Sequence, residues 1–262
     1  MLFKKTMLLS ALLIATQLTQ AEVSIETQTT KYDVLNPNNP DGYKQFRLDL
    51  IEMQDIANPS KLGWRVFYDK PSEGQNAEWF DAVKQGNLAK VKKMVENGQN
   101  LEVTDDASLQ QTALGWAAFI GYEDMFDYLV EQGANIWAKD KGDVLNVMKS
   151  AGLGKNINVF KKAHQLVKDK VDINDQTLDM QGETVLIVAS SNGRNEIVKY
   201  LLDSGAKTNL VTTEKNTSHP AYDQDALTFA CRNGNLDTAK ILVQYGAINH
   251  RTGMPACDYP AK

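Results

Sequence analysis

Residues Gly182–Ala206, GETVLIVASSNGRNEIVKYLLDSGA, carry the clearest pattern in the chain. A short apolar segment, Thr184 to Ser190, runs into Asn192-Gly193. A second run is amphipathic and places Ile197, Val198, Leu201 and Leu202 at helical spacing before Gly205-Ala206. The pattern predicts two short antiparallel helices, with one glycine in the turn between them and another capping the second helix. A helix pair of this size cannot bury its apolar face alone, so it requires neighbours.

The same pattern recurs when the chain is aligned on the turn glycine. The turn glycines are Gly86, Gly121, Gly152, Gly193 and Gly234. Seven positions before each lies a large apolar residue: Trp79, Leu114, Leu145, Leu186 and Leu227. Four positions before each lie Ala82, Ala117, Met148, Ala189 and Ala230. The third repeat is interpreted as carrying about six extra residues after Gly152, which would place Ala163, Leu166 and Val167 on the apolar face of its second helix.

The order of Thr184, Leu186, Ala189 and Gly193, followed by an apolar helix that ends at Gly205-Ala206, resembles an ankyrin repeat. The family's Thr-Pro-Leu-His segment reads Thr-Val-Leu-Ile here, so its proline and histidine are missing. The resemblance covers residues 76–251. It implies a mainly α solenoid of about five helix-turn-helix repeats, with hairpin-like loops forming a second arm and protein binding as its role.

Residues 1–21 are predicted to be a secretory signal peptide. Lys4 and Lys5 form a positive start, and the apolar run from Met7 to Ala15 is too short to cross a bilayer. Small residues at Thr19 and Ala21 suit cleavage before Glu22. The alternative is a buried N-terminal helix. Cleavage would export the chain to a periplasm or the outside, without membrane insertion of the mature protein.

Two segments flank the predicted array. Residues 22–75 lack the repeat pattern, and alternation over Gln45–Ile51 and Trp64–Tyr68 predicts two short strands. This small β-containing unit is interpreted as an N-terminal cap of the array, and the alternative is a separate recognition element. Residues 252–262 form a turn-rich C-terminal tail.

Composition limits the class of partner. The formal net charge is −5, and the predicted signal peptide carries two lysines and no acidic residue. A mature chain this acidic is not expected to bind nucleic acid or anionic membranes. In an oxidising compartment Cys231 and Cys257 could form a disulfide; the alternative is a buried free Cys231 with an exposed Cys257. The oligomeric state is left open.

Catalysis, cofactors and metals are not predicted. Ser218-His219, with Asp223 and Asp225 nearby, contains the residue types of a hydrolase triad. Its members are, however, neighbours in a polar loop, and no oxyanion hole is indicated. Gly152-Leu-Gly-Lys155 lacks the spacing of a phosphate-binding loop. No spacing typical of metal ligands occurs, so we expect no enzymatic activity.

Two features are predicted to bind a protein partner. The positions just before each turn glycine are expected on the concave face, where Phe119 and Ile120 would form an apolar patch extended by Trp137. The alternative is that Phe119 covers a neighbouring element. The second feature is the connection from Thr212 to Asp223, between turn glycines that are 41 residues apart.

This connection is longer than the repeat spacing requires. It is predicted to protrude as a finger that contacts the partner through Lys215, His219 and Tyr222. The alternative is a tolerated disordered loop.

The overall layout also resembles a group of periplasmic ankyrin-repeat immunity proteins of Gram-negative bacteria. Those proteins neutralise phospholipase-type effectors of the type VI secretion system. The resemblance implies a toxin, encoded nearby, as the partner and occlusion of its active-site entrance as the mechanism. A periplasmic scaffold or stress-protection accessory protein is the alternative. A hydrolase would require an organised catalytic set, which the sequence does not show.

Overall fold

A computed structural model describes residues 72, 74–106, 110–140 and 146–258, which fold into five consecutive helix pairs. The first helix of each pair, here called inner, packs against the inner helices of neighbouring pairs. The inner helices are α1 Ala77–Lys84, α3 Ala113–Ile120, α5 Val147–Leu153, α7 Val185–Ser191 and α9 Ala226–Arg232. The outer helices are α2 Leu88–Glu96, α4 Glu123–Glu131, α6 Ile157–Val167, α8 Asn195–Asp203 and α10 Leu236–Gln244. The predicted mainly α repeat solenoid is confirmed.

One small sheet occurs in the described part of the chain. Strands β1 Thr104–Asp105 and β2 Gln111–Thr112 pair antiparallel, with Thr104 opposite Thr112, between the first and second helix pairs. The predicted signal peptide, and nearly all of the predicted cap over residues 22–75, lie outside the described residues. Across the described residues, no helix combines the length and apolar character needed to cross a bilayer.

The helix pair predicted from Gly182–Ala206 forms as expected. Every residue of α7 is buried, whereas α8 buries Ile197, Val198, Leu201 and Leu202 and exposes its other face. Burying each of these aliphatic side chains stabilises the fold by about 1.5–3 kcal/mol. The short inner helices therefore form the core, and the longer outer helices shield it from water.

A side-chain cap at the first turn marks where each of four inner helices begins. Thr184 precedes α7, and its hydroxyl accepts a hydrogen bond from the Ile187 backbone N–H at 3.2 Å. The corresponding capping residues of α3, α5 and α9 are Thr112, Asn146 and Asp225. Each such cap contributes about 1 kcal/mol, and it specifies which residue begins the helix.

The third repeat differs from the predicted register. Its inner helix begins after Asn146, so Met148 takes the position of Leu186 and Ala151 that of Ala189. Gly152 lies inside α5 and is not the turn glycine, so that prediction is wrong. The physical reason is packing: a Cβ atom at Gly152 would lie 2.8 Å from a Val185 methyl group. Leu145, assigned to this helix from the sequence, lies outside the described residues.

The outer helix of this repeat is also longer than its counterparts. Helix α6 has 11 residues, whereas α4, α8 and α10 have nine. Ala163 and Val167 are buried as predicted, but Leu166 is 40% exposed, so its predicted core position is wrong. The extra length is accommodated within the helix and its C-terminal turn, and not in a loop after Gly152.

Neighbouring repeats are joined by one recurring hydrogen bond. From α4 onward, the residue that precedes each outer helix donates a side-chain hydrogen bond to a backbone carbonyl of the preceding repeat. That carbonyl lies at the C-terminal end of the preceding repeat's inner helix. The bonds run from Tyr122 to Lys84 (3.1 Å), Asn156 to Gly121 (2.9 Å), Arg194 to Leu153 (2.9 Å) and Asn235 to Ser190 (3.0 Å). Carbonyls at a helix end lack intrahelical donors, so each bond satisfies such a group while aligning two repeats.

Asn235→Ala tests this connection. Asn235 is 7% exposed and makes no capping bond within its own helix, so the variant removes only donors that reach the previous repeat. We expect a loss of about 1–2 kcal/mol in the free energy of unfolding, measured by urea denaturation, because buried carbonyls lose a donor. Gln244→Ala, on the exposed end of α10, is the control and should change stability by less than about 0.5 kcal/mol. Equal effects of the two variants would contradict the role of the bond.

Candidate binding site

The structure buries the predicted apolar patch. Phe119 and Ile120 are 2% and 6% exposed, and the Phe119 ring packs edge-on against Trp116 with centroids 6.1 Å apart. The prediction that they form an exposed contact surface is wrong, because both side chains belong to the core. The sequence of α3, ALGWAAFI, contains no charged residue, which is typical of a helix buried on every side.

Trp137 does not extend such a patch. It is half-buried on the loop after α4, and the Lys170 ammonium lies 5.7 Å from its ring centroid. Its backbone N–H donates to the Asn135 side chain at 3.0 Å. Trp137 therefore packs within the array and shares no exposed apolar surface with Phe119.

The C-terminal ends of the inner helices differ between repeats in their exposure to solvent. In the first four repeats the residues at these ends are buried: Lys84 and Gln85, Phe119 and Ile120, Leu153, and Ser191 and Asn192. In the fifth, Arg232 and Asn233 remain partly exposed. Among the described repeats, the last is therefore the one whose inner helix end is open to a ligand.

The long connection beside this open end is a folded element, here called the finger and defined as Thr212–Gln224. At its base the Thr212 N–H donates to the Gln224 carbonyl at 2.8 Å, and the Gln224 N–H donates to the Thr212 hydroxyl at 3.0 Å. Near its tip the His219 N–H donates to the Asn216 carbonyl at 2.9 Å. These bonds give the finger a defined backbone without a helix or strand.

The finger and the last repeat enclose a pocket of about 500 Å³, here called the finger pocket. Its lining residues are Thr217, Ser218, His219, Tyr222, Asp223, Gln224, Arg232 and Arg251. Of the predicted contact residues, His219 and Tyr222 line the pocket, whereas Lys215 lies exposed on the finger outside it. A pocket of this volume can hold a small ligand or a side chain of a partner.

Arg232 and His219 are held at the pocket by single hydrogen bonds to the finger backbone. Arg232, the last residue of α9, donates from Nη1 to the Pro220 carbonyl at 2.5 Å. The Nδ1 atom of His219 accepts the Ala221 N–H at 3.1 Å, so a neutral ring carries its proton on Nε2. Glu214 is 3.8 Å from Nδ1, beyond hydrogen-bonding distance, so no carboxylate orients this ring as the base of a triad would be oriented.

Residues that follow α10 clamp the base of the finger. His250 lies between two carboxylates, with Nδ1 2.7 Å from Asp225 and Nε2 2.8 Å from Asp223. The Nε of Arg251 donates to the second oxygen of Asp223 at 2.7 Å, and Nη1 donates to Asp258 at 3.1 Å. Sequence reasoning missed His250 and Arg251 because their contacts with Asp223 and Asp225 join residues at least 25 positions apart.

These contacts shift two pKa values in opposite directions. Burial disfavours the charged form of His250, but hydrogen bonds and charge from Asp225 and Asp223 outweigh it and raise its pKa. Burial works to raise the pKa of Asp223, but Arg251 and His250 outweigh it and lower that pKa. Both shifts favour an ion pair between His250 and Asp223.

A disulfide holds the same region together. Cys231, next to Arg232 on α9, is bonded to Cys257 in the tail, with Cα atoms 5.5 Å apart. Of the two alternatives that the sequence left open, the structure therefore contains the disulfide and not the free Cys231. The bond fixes the tail against α9, so Arg251 and Asp258 stay beside the finger. Among the described residues, no group of three His, Cys, Asp or Glu side chains is arranged to hold a metal ion.

Comparisons with protein families identify the repeat. A model of three consecutive ankyrin repeats matches residues 147–252, and a model of a single ankyrin repeat matches residues 110–141. Together the two matches cover just over half of the chain. The 147–252 match begins at the first residue of α5, and the 110–141 match spans the second helix pair.

Two relatives share limited similarity with the chain. The cell division cycle-related protein res1/sct1 of Schizosaccharomyces pombe is 24% identical over 220 residues, covering 81% of this chain and 30% of that protein. An L-asparaginase of Dirofilaria immitis is 27% identical over 154 residues, covering 48% of this chain and 25% of that protein. The chain thus spans less than a third of the length of either relative.

His250→Gln tests the clamp through its pH dependence. The raised pKa of His250 means that its stabilisation is complete below the unfolded value, near pH 6.5, and is lost as pH rises through the folded pKa. We therefore expect the variant to lower the melting temperature more near pH 6 than near pH 9, measured by calorimetry.

His164→Gln is the matched control for this experiment. Burial, and then the charge of Lys168, lower the pKa of His164. Its neutral form is favoured in the folded state, so the wild-type chain loses stability relative to this variant as pH falls. The two histidine variants should therefore show opposite pH trends. A pH-independent effect of His250→Gln would contradict the charged clamp.

Proposed function

Because the chain belongs to the ankyrin-repeat family, we propose that it binds another protein through the finger and the finger pocket. Ankyrin-repeat proteins are in general interaction modules and not enzymes. The observation that carries the proposal is the contrast between repeats: the C-terminal ends of the inner helices are buried in the first four and partly exposed in the fifth. The finger stands beside that open end.

The finger suits a binding role because its exposed side chains are mounted on a hydrogen-bonded backbone. Lys215 is exposed and Tyr222 is 38% exposed, while the Thr212–Gln224 bonds hold the base in place. An element that is ordered before binding loses little conformational entropy when the complex forms. Tyrosine and arginine are also enriched among the residues that dominate binding energy.

The finer proposal is that the chain is an exported immunity protein, whose partner is a phospholipase-type effector of the type VI secretion system encoded nearby. The composition of residues 1–21 supports export to the periplasm. The Cys231–Cys257 disulfide supports it too, because such bonds persist in oxidising compartments. In this mechanism the finger enters or covers the effector's active-site entrance and excludes its substrate.

The binding surface can be tested with a paired substitution. Lys215→Glu with Tyr222→Ala changes the finger, and Lys240→Glu with Tyr245→Ala makes the same changes on α10 and at the residue that follows it. We expect the finger variant to weaken binding to the purified candidate effector at least about 30-fold by calorimetric titration, since two anchor residues are lost. The α10 variant should bind like the wild-type chain. The reverse pattern would place the interface on the outer helices.

A protection assay separates the general proposal from the finer one. The effector is expressed in the periplasm of a sensitive strain with the wild-type chain or with the finger variant. The immunity proposal expects survival only with the wild-type chain. Tight binding without protection would rule out the immunity role and leave a scaffold that holds the same partner.

A further inference from the structure

The groups that line the finger pocket are mostly hydrogen-bond donors. Thr217, Ser218 and Tyr222 contribute hydroxyl groups, each of which can donate one hydrogen bond. His219 offers its Nε2–H, because Nδ1 already accepts the Ala221 N–H at 3.1 Å. Arg232 adds a guanidinium group with five N–H donors and no acceptor. These donors favour a ligand that presents acceptors, although the lining also contains one buried acceptor, Gln224 Oε1.

The acidic residue in the pocket is already neutralised. One carboxylate oxygen of Asp223 lies 2.8 Å from His250 Nε2, and the other lies 2.7 Å from Arg251 Nε. Arg251 is itself divided between Asp223 and Asp258. Both oxygens of Asp223 therefore lie against cationic side chains, which screens its charge from an anion in the pocket; His250 is shared with the buried Asp225.

Arg232 is the cation of the pocket that stands outside these ion pairs. Its hydrogen bond at 2.5 Å goes to a neutral carbonyl, that of Pro220, and within the described residues it forms no ion pair. The bond fixes one nitrogen against the finger while the guanidinium lines the pocket. A fixed guanidinium matches the two oxygens of a carboxylate, with which it can form paired hydrogen bonds.

We infer that the finger pocket binds a carboxylate of the partner protein, with the guanidinium of Arg232 as its counter-ion and His219 as a second donor. This inference rests on the proposed protein-binding function and assigns the chemistry of the same site. A carboxylate fits better than a phosphate dianion because a single guanidinium lies in the pocket outside the ion pairs, and the carboxylates of Asp223, Asp225 and Asp258 nearby would repel the second negative charge. The carboxylate can come from an Asp or Glu side chain or from a chain end, and the test below separates these sources.

The test uses the full chain and three short peptides as probes. The first is acetyl-Ala-Glu-Ala-amide, the second replaces Glu with Gln, and the third is acetyl-Ala-Ala-Ala with a free C-terminal carboxylate. Binding is followed by NMR through the Arg232 Nε–H and His219 ring signals during titration. We expect saturable shifts with the Glu peptide and at least tenfold weaker binding of the Gln peptide. Stronger binding of the third peptide would assign the carboxylate to a chain end.

Three variants of the chain test whether Arg232 binds the carboxylate of the peptide. Arg232→Gln should abolish binding of the Glu peptide, and Arg232→Lys should weaken it severalfold because the charge remains but the paired geometry is lost. Lys240→Gln removes one positive charge from α10 and should leave binding unchanged. Unfolding curves for both Arg232 variants show whether the Pro220 contact is needed for folding. If it is, His219→Ala provides the second test and should also weaken binding.

Two results would overturn the inference: equal binding of the Glu and Gln peptides, or tighter binding of inorganic phosphate than of either carboxylate probe. The proposed function is judged separately by the finger and α10 variants. Loss of partner binding in the finger variant, combined with no response to the probes, would retain the interface and remove the carboxylate assignment.

Discussion

The structure depends on how one repeat is attached to the next. Inner helices of seven or eight residues are too short to be stable alone, so each needs a neighbour on its apolar side, and the first four also have one at their C-terminal end. The side chain preceding the next outer helix provides this second contact by donating to a carbonyl at that end. Tyrosine, asparagine and arginine all fill this position, with donor–acceptor distances of 2.9–3.1 Å. The position of the donor is therefore kept while its residue type varies.

Repetition made the fold predictable, and the departures from prediction have physical causes. Threonine, leucine, alanine and glycine at fixed offsets identified the repeats because each offset has one packing role. In the third repeat, Gly152 serves close packing against Val185 and not a turn, so aligning on glycine shifted the register. Phe119 was misplaced because exposure was inferred from the pattern of other ankyrin repeats, although the apolar composition of its own helix indicated burial.

In the candidate site, too, the features that depend on neighbouring residues could be predicted and the contacts between distant residues could not. The finger was visible as an excess of residues between Gly193 and Gly234, a local property of the sequence. The contacts of His250 with Asp225 and Asp223 could not be predicted from the sequence, because they join residues 25 and 27 positions apart. The regular repeats thus supply the support, and the finger, the last inner helix and Arg251 after α10 together build the pocket. The candidate binding site lies where the repeat pattern is interrupted.

We propose that the finger and the last repeat form the contact surface for a protein partner. Hydrogen exchange of the chain, alone and bound to the purified candidate effector, measures this directly because buried amides exchange more slowly. We expect protection on binding to be concentrated over residues 213–224 and the C-terminal end of α9 around Arg232, with little change in the outer helices. Protection confined to α4, α6 and α8, with unchanged exchange in the finger, would contradict it.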